Sequence, residues 1–404
     1  MTEAPVQIVT AAAGRRDDYQ VPIALATVDL LACHVTDVYA PDVLEPLLGR
    51  LGSHGRRILR RHSPLLPSRL VHCSGRLAAR KAAATFISAL SGPLQGDQDP
   101  ISWSALRQAR RHHAALLLYA GYAYRAFTAE PRSARKRGLI QYHPHIRDSA
   151  AILRADAERY PFIRRALEEL RCDEQDQTNI TELEIADVVI CNSSFTAATC
   201  RSLGIDPDKF KVIPYGIDPV PISFRSAERS SQCQFIFVGS GIQRKGLHHL
   251  LLAWRQANLT HSQLTIVSRQ IDPEIRSAID PGEGVLWLDS VSNQELDQLY
   301  RQSDVFVLPS LIEGFGYVFL EAMARGCFCI GTANTGLPDI GDDQCRRLIP
   351  AGEPRDLAES LRDAEAAWAG NELDQKYIAL KGAARDWTSF RSDLLQSLSS
   401  LIDN

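Results

Sequence analysis

Near-uniform apolar runs of strand length recur along the chain at VQIVTAA (6–12), AALLLYAG (114–121), GLIQYH (138–143), DVVICNSS (187–194), KVIPYG (211–216), QFIFVGS (234–240), QLTIVS (263–268), VLWLDS (285–290), DVFVLPS (304–310) and CFCIGT (327–332). Helical patterns such as LHHLLLAWRQA (247–257) and NQELDQLYRQS (293–303) lie between many of them. Continuous apolar strands alternating with helices predict parallel sheets covered on both faces. The expected class is therefore α/β, with two doubly wound units in tandem. The weakest join is GIDPVPISFRSAERSSQ (216–232), where proline, serine and charge break both periodicities. Two such units facing each other leave a cleft beyond the carboxyl ends of their strands.

Composition sharpens this picture. A chain of 404 residues exceeds what one core supports. No apolar run reaches 18 residues, and MTEAPVQIVTAAAGRRDD lacks the basic start and long apolar stretch of a leader, so a cytoplasmic protein is expected. Nine cysteines are scattered, and Cys191, Cys327 and Cys329 sit inside strand-like runs where a thiol behaves as a small hydrophobe. They are read as reduced core residues without metal-ligand spacing.

The net charge of −3 conceals an asymmetry. Residues 1–150 hold 20 Lys and Arg against 11 Asp and Glu, leaving 25 against 37 for the rest. The excess gathers in GRRILRRH (55–62), RQARRHH (107–113) and RSARKRG (132–138). One reading is a solvated arginine-rich surface, and the other a face for anionic lipid or a phosphate-bearing acceptor. No nucleic-acid motif accompanies the charge, so nucleic acid is not an expected partner.

Two stretches carry chemistry. GSGIQRKG (239–246) begins like a dinucleotide fingerprint but has Arg244 at the third glycine position, and Leu247 stands where a Walker A loop needs lysine. What remains is a strand, a glycine turn, two cations and a helix beginning near Gly246, a combination suited to a diphosphate. SLIEGFGYVFLE (310–321) places Glu313 in a loop over the cleft and Glu321 in the helix that follows. Were the segment all helical, the two carboxylates would lie about 12 Å apart, too far to act on one bond. They are expected to grip different parts of one extended ligand, since a carboxylate accepts two hydrogen bonds from a vicinal diol.

EGFGYVFLE resembles the E-x7-E signature of retaining glycosyltransferases of the two-Rossmann-domain (GT-B) architecture, most closely family 4. Supporting pieces occur in order: ELEIADVVICNSSFTAATCRSLGI (182–205), VIPYGID (212–218), FVGSGIQRKGLHHLLLAW (237–254), VLWLDSVSNQELDQLYRQSDVFVLPS (285–310) and ANTGLPDI (333–340). The resemblance covers roughly residues 180–390 and is faint before residue 175. It implies an acceptor-binding domain over 1–217, completed by a crossing helix at 384–404, and a nucleotide-sugar-binding domain over 218–383. By position it implies that Glu321 binds the ribose hydroxyls, that Glu313 lies by the donor sugar and that Lys245 contacts the diphosphate. Gly314, Phe315, Gly316, Tyr317 and Val318 would line the donor site, with N–H groups of the last three facing the distal phosphate. Ser240 stands where the family often has arginine, so Arg244 is expected to supply that charge. Phe328 and Asp289 replace a commoner proline and glycine. Gly14 should form the turn facing the phosphates, and His143, with His145 as rival, matches the histidine near the sugar.

The resemblance further implies a retaining, metal-independent transfer, with no cofactor beyond the nucleotide-diphosphate-sugar co-substrate. The leaving diphosphate takes the acceptor's proton, and Lys245, Arg244 and helix N–H groups stabilise its charge. The implied partners are a nucleotide-sugar donor and a glycan, lipid-linked or small-molecule acceptor from envelope or polysaccharide biosynthesis; an anionic membrane surface joins them only on the second reading of the basic face, which its charge and not the resemblance raises. A non-catalytic relative that binds a partner, and another nucleotide-sugar enzyme on the same fold, are the alternatives left open.

Overall fold

The computed structural model describes residues 5–40, 60–74, 98–163, 173–221, 230–280 and 282–402. Residues 55–59 of the first basic cluster, 222–229 of the weak join and the last two residues of the expected crossing helix lie outside that set.

Seven strands form the first sheet: β1 (Ile8–Ala11), β2 (Leu31–Thr36), β3 (Val71–Cys73), β4 (Ala115–Tyr119), β5 (Arg137–Gln141), β6 (Val188–Cys191) and β7 (Phe210–Val212). Their spatial order is β3-β2-β1-β4-β5-β6-β7 and every pairing is parallel. The second sheet holds β8 (Cys233–Val238), β9 (Ser262–Val267), β10 (Val285–Leu288), β11 (Val305–Leu308), β12 (Phe328–Thr332) and β13 (Arg346–Ile349). It runs β10-β9-β8-β11-β12-β13, again all parallel. β1, β4, β6 and β11 are buried at every position, as strands covered on both faces must be. The predicted pair of doubly wound Rossmann-like units is present.

Each sheet reverses strand order at one point, between β1 and β4 and between β8 and β11, and ligands of such sheets gather at the carboxyl ends there. The loops at those points are 12–19 and 120–123 in the first unit, and 239–246 and 309–316 in the second.

Three strands escape the hydrophobic pattern. β2, LACHVT, buries His34, whose ring meets Thr10 Oγ1 at 2.8 Å, so a polar residue occupies a core position. β3 has only three residues, and β13 is an edge strand with two arginines. In the opposite direction KVIPYG is strand only to Val212, since Pro214 lacks the N–H that a ladder needs.

Eight helices matter below: α1 (Gln20–Ala26), α2 (Ile146–Arg159), α3 (Ser194–Arg201), α4 (Leu247–Ala257), α5 (Asn293–Gln302), α6 (Tyr317–Met323), α7 (Gln375–Ala384) and α8 (Trp387–Ser397). α5 opens on a capping box, with Ser292 and Glu295 each binding the other's backbone N–H. α7 packs on α6 of the second unit, while α8 packs on α1 of the first. The chain makes that return beside residue 217, where Ile217 N donates to Arg385 O and Trp387 N to Ile217 O.

Candidate functional site

The turn after β8 builds the cationic part. Gly246 has φ 70° as the residue capping α4, and a Cβ there would lie 2.0 Å from Pro309 O, so glycine is required on two counts. The short turn Gln243–Lys245 before it holds Arg244 and Lys245 beside the loop after β11. That loop is tied to the turn by its backbone, with Leu311 N donating to Arg244 O at 2.9 Å.

Glu313 is where the two loops meet. Its Oε2 accepts from Arg244 Nη1 at 2.9 Å and from Lys245 Nζ. Burial pushes this carboxyl upward, yet Lys245 and then Arg244 bring it below the usual carboxylate range. Burial lowers the Lys245 ammonium despite the attraction of Glu313. Ser240 is half-buried in the same turn, flanked by Gly241, whose N–H donates to Ser268 Oγ at 3.0 Å.

The remaining predicted donor residues divide. Gly314 faces the first unit: a Cβ would meet Tyr142 O at 2.3 Å, and its own carbonyl accepts from Ser193 Oγ at 2.6 Å. Phe315 is core, edge-on to Tyr215 at 5.4 Å. Gly316, φ 86°, caps α6, and Tyr317 and Val318 form its first turn, whose N–H groups have no acceptor within the helix.

Glu321 has surroundings of its own. It lines a cavity of about 750 Å³ between the units, with Arg16, Asp17, Tyr300, Tyr317 and Arg325 among its walls. Tyr300 Oη donates to Glu321 Oε2 at 3.3 Å, and burial nevertheless holds the carboxyl above its ordinary range. Glu313, Arg244 and Lys245 are outside that lining.

On the first unit, Gly14 (φ 77°) turns the chain after β1, and its N–H donates to Asp37 Oδ1 at 2.8 Å. Arg16 lies 4.3 Å from the centroid of the Tyr142 ring. His143 is exposed after β5, packed against Tyr142 with ring centroids 4.4 Å apart. Partial desolvation lowers its imidazolium, and Arg16 and Arg244 lower it further while Glu313 pulls the other way. The rival His145 is a buried helix cap whose Nδ1 accepts from Arg147 N.

Sequence reasoning missed Asp17. Asp17, Asp18 and Tyr19 all have positive φ (45°, 50° and 62°), a strained run that persists only where its surroundings hold it. Asp17 accepts from Tyr215 Oη at 2.9 Å and from Tyr317 Oη of the second unit at 3.2 Å, and the two tyrosines stack at 5.0 Å. The signal was the charged run RRDDY directly after the Gly14 turn.

It also missed a three-residue group formed across the units. Asp156 of α2 meets His248 and His249 of α4, the one set of three metal-capable groups among the described residues. No such cluster is visible in the sequence, because 92 residues separate the partners.

The basic face is partly spoken for. Glu130 accepts from Arg135 Nε at 2.6 Å and Arg110 Nε at 2.7 Å, and Arg137 is buried, donating to the carbonyls of Glu130, Pro131 and Arg132. The described cysteines are all free, with Cys191, Cys327 and Cys329 buried. No helix among the described residues is long and apolar enough to cross a membrane.

Comparison with known proteins adds the lineage. The family model described as Glycosyltransferase Family 4 matches residues 5–220, including the half whose motifs are faint, and that described as Glycosyl transferases group 1 matches 232–365. The MMP alpha-(1->4)-mannosyltransferase of Mycolicibacterium hassiacum is 24% identical over 44% of this chain and 45% of its own length. The chain spans about half the length of the curated relatives it matches. Among solved structures, the sucrose-phosphate synthase of Thermosynechococcus elongatus superposes with TM-score 0.65 at 18% identity, covering 98% of this chain and 99% of that one. The Anabaena HepE protein, crystallised with UDP, gives TM-score 0.61 at 15% identity over 98% of this chain and 100% of that one. Both likenesses establish the shared GT-B fold.

Proposed function

We propose, for a chain that belongs to glycosyltransferase family 4, that it moves a sugar from a nucleotide-diphosphate donor to a glycan, lipid-linked or small-molecule acceptor with retention of configuration. The observation that carries the reading is the meeting of Lys245, Arg244 and Glu313 at the strand-order reversal of the second sheet. Two cations beside a helix start suit a diphosphate, and a carboxylate beside them suits sugar hydroxyls. Glu321, in the adjoining cavity, would take the ribose diol. The leaving diphosphate would accept the acceptor's proton, its growing charge met by Lys245 and Arg244 without a metal ion. His143, exposed at the end of β5, would contact the sugar, and Gly14 would face the phosphates. HepE, of the same fold, was crystallised with UDP, which supports a nucleotide at this cleft.

On this reading the acceptor enters from the first unit, and its basic face approaches anionic lipid. Co-sedimentation with anionic and neutral vesicles tests that part: equal recovery with both removes it.

A thermal-shift panel of nucleoside diphosphates and their sugars tests the donor site. A ligand at 100 times its dissociation constant raises stability by about 2.7 kcal/mol. Absence of any shift across UDP, GDP, ADP and their sugars overturns the reading.

A further inference from the structure

We infer that Asp156, on the first unit, is a positioning residue for the donor diphosphate: through Gln243 it sets the turn that carries Arg244 and Lys245. The inference rests on the donor-site reading above and concerns a residue that touches no substrate.

Gln243, which begins that turn, is almost wholly buried, and its side chain leaves the second unit altogether. Its Nε2 donates to Asp156 Oδ2 at 2.9 Å and to Leu153 O at 2.8 Å, both on α2. His248 and His249, three and four residues beyond Lys245, bring their Nε2 atoms to the same carboxylate at 3.1 and 2.7 Å. One buried carboxylate of the first unit therefore receives three donors from a seven-residue stretch of the second, Gln243 to His249, and the two cations lie within that stretch directly after Gln243. The opposite loop is braced by the same helix, since Leu153 packs with Leu311 and Ile312 just before Glu313. Thus α2 supports both sides of the Lys245–Glu313 contact.

The group has the composition of a metal site, but its hydrogen bonding argues for a post. Both oxygens of Asp156 are already engaged by neutral-capable donors. The outer ring atoms, His248 Nδ1 and His249 Nδ1, have no hydrogen-bond partner, whereas a ligating histidine ordinarily anchors its second nitrogen. Removing one acceptor from such a saturated, buried set leaves donors unsatisfied, and the turn shifts to satisfy them.

The experiment is calorimetric titration of the full chain with UDP, GDP and ADP and with the corresponding nucleosides. Asp156→Asn and, as a milder variant, Gln243→Leu should each weaken binding of the preferred diphosphate about tenfold while leaving its nucleoside within about twofold, the loss expected for one misplaced charge-assisted contact. The exchanged pair Asp156→Asn with Gln243→Glu, which reverses donor and acceptor, should recover part of the loss. Equal weakening of nucleoside and diphosphate shows a merely structural role and overturns the inference. So does unchanged diphosphate binding in both single variants, or a stoichiometric metal in the purified protein whose removal by chelator reproduces the defect. An unmutated protein that binds none of the three diphosphates overturns the donor-site reading itself and this inference with it.

Discussion

The ammonium of Lys245 donates to the carboxylate of Glu313, so the cation expected on the donor's diphosphate and the carboxylate expected on its sugar hold each other. Both side chains are 14% exposed, and Arg244 completes the group at 2.9 Å. A donor entering here must divide this pair. Glu313→Ala should then leave nucleoside diphosphate affinity unchanged or improved while cutting turnover at least about tenfold, whereas Lys245→Ala should weaken both. Calorimetry and initial rates check this, and a Glu313→Ala protein that loses diphosphate affinity as Lys245→Ala does would refute it. The unliganded Glu313→Ala protein should also melt earlier, because a buried cation left alone costs about 3 kcal/mol.

Glu321 should show a conflict between stability and function. Burial raises its carboxyl despite the Tyr300 hydrogen bond, so ionisation is harder folded than unfolded. For a raised carboxyl the penalty is fully present above the folded pKa and absent below the unfolded one, so this group alone makes the fold more stable as pH falls through that interval. Glu321→Gln should therefore raise the melting temperature at neutral pH and weaken nucleotide binding. Parallel loss of both quantities would show that the carboxylate is structural.

Glu130 should behave in the opposite sense. Arg135 and Arg110 draw its carboxyl down to about 2, outweighing its burial. A depressed carboxyl contributes stability above its unfolded pKa and loses it as pH falls toward the folded value, here from about 4.5 to about 2. Denaturation midpoints followed across that window should fall less steeply for Glu130→Gln than for the unmutated protein. Superimposable slopes would show that the pair contributes nothing measurable, as many partly exposed pairs do.

The strands and helices that carry Lys245, Glu313 and Glu321 were legible because β8, apolar but for Gln234, and the uniformly apolar β11 announce buried parallel strands, and the glycines beside them announce sharp turns. β2 was hidden by His34, a buried polar residue whose Nδ1 meets Thr10. Gly314 and Phe315 were expected at the donor; the structure places the first against Tyr142 and Ser193 and the second in the core. Close packing between units calls for the same glycine and aromatic character as ligand approach, and the chain alone does not separate the two. Asp17 and Asp156 were beyond reach for a different reason. Their partners, Tyr317 and the pair His248 and His249, lie on the other unit, and nothing local to either aspartate signals a contact hundreds or tens of residues away.

Gly314 gives the sharpest test of how the two units depend on each other. Its neighbour across the interface is the carbonyl of Tyr142, itself fixed by Asn192 Nδ2 at 2.8 Å, and backbone atoms cannot swing aside as a side chain would. A methyl group placed 2.3 Å from that oxygen forces the 311–316 loop off the first unit. With it go the bonds from Ser193 and Thr196 to the Gly314 carbonyl. The Glu321 cavity wall on the second unit and its Tyr300 contact are internal to that unit and should survive. Gly314→Ala should therefore keep nucleoside binding, lose most of its transfer rate, and show a larger radius of gyration by small-angle X-ray scattering. Gly314→Ala with the unmutated radius and rate would mean that the loop accommodates a side chain and that the apposition of the units does not depend on this contact.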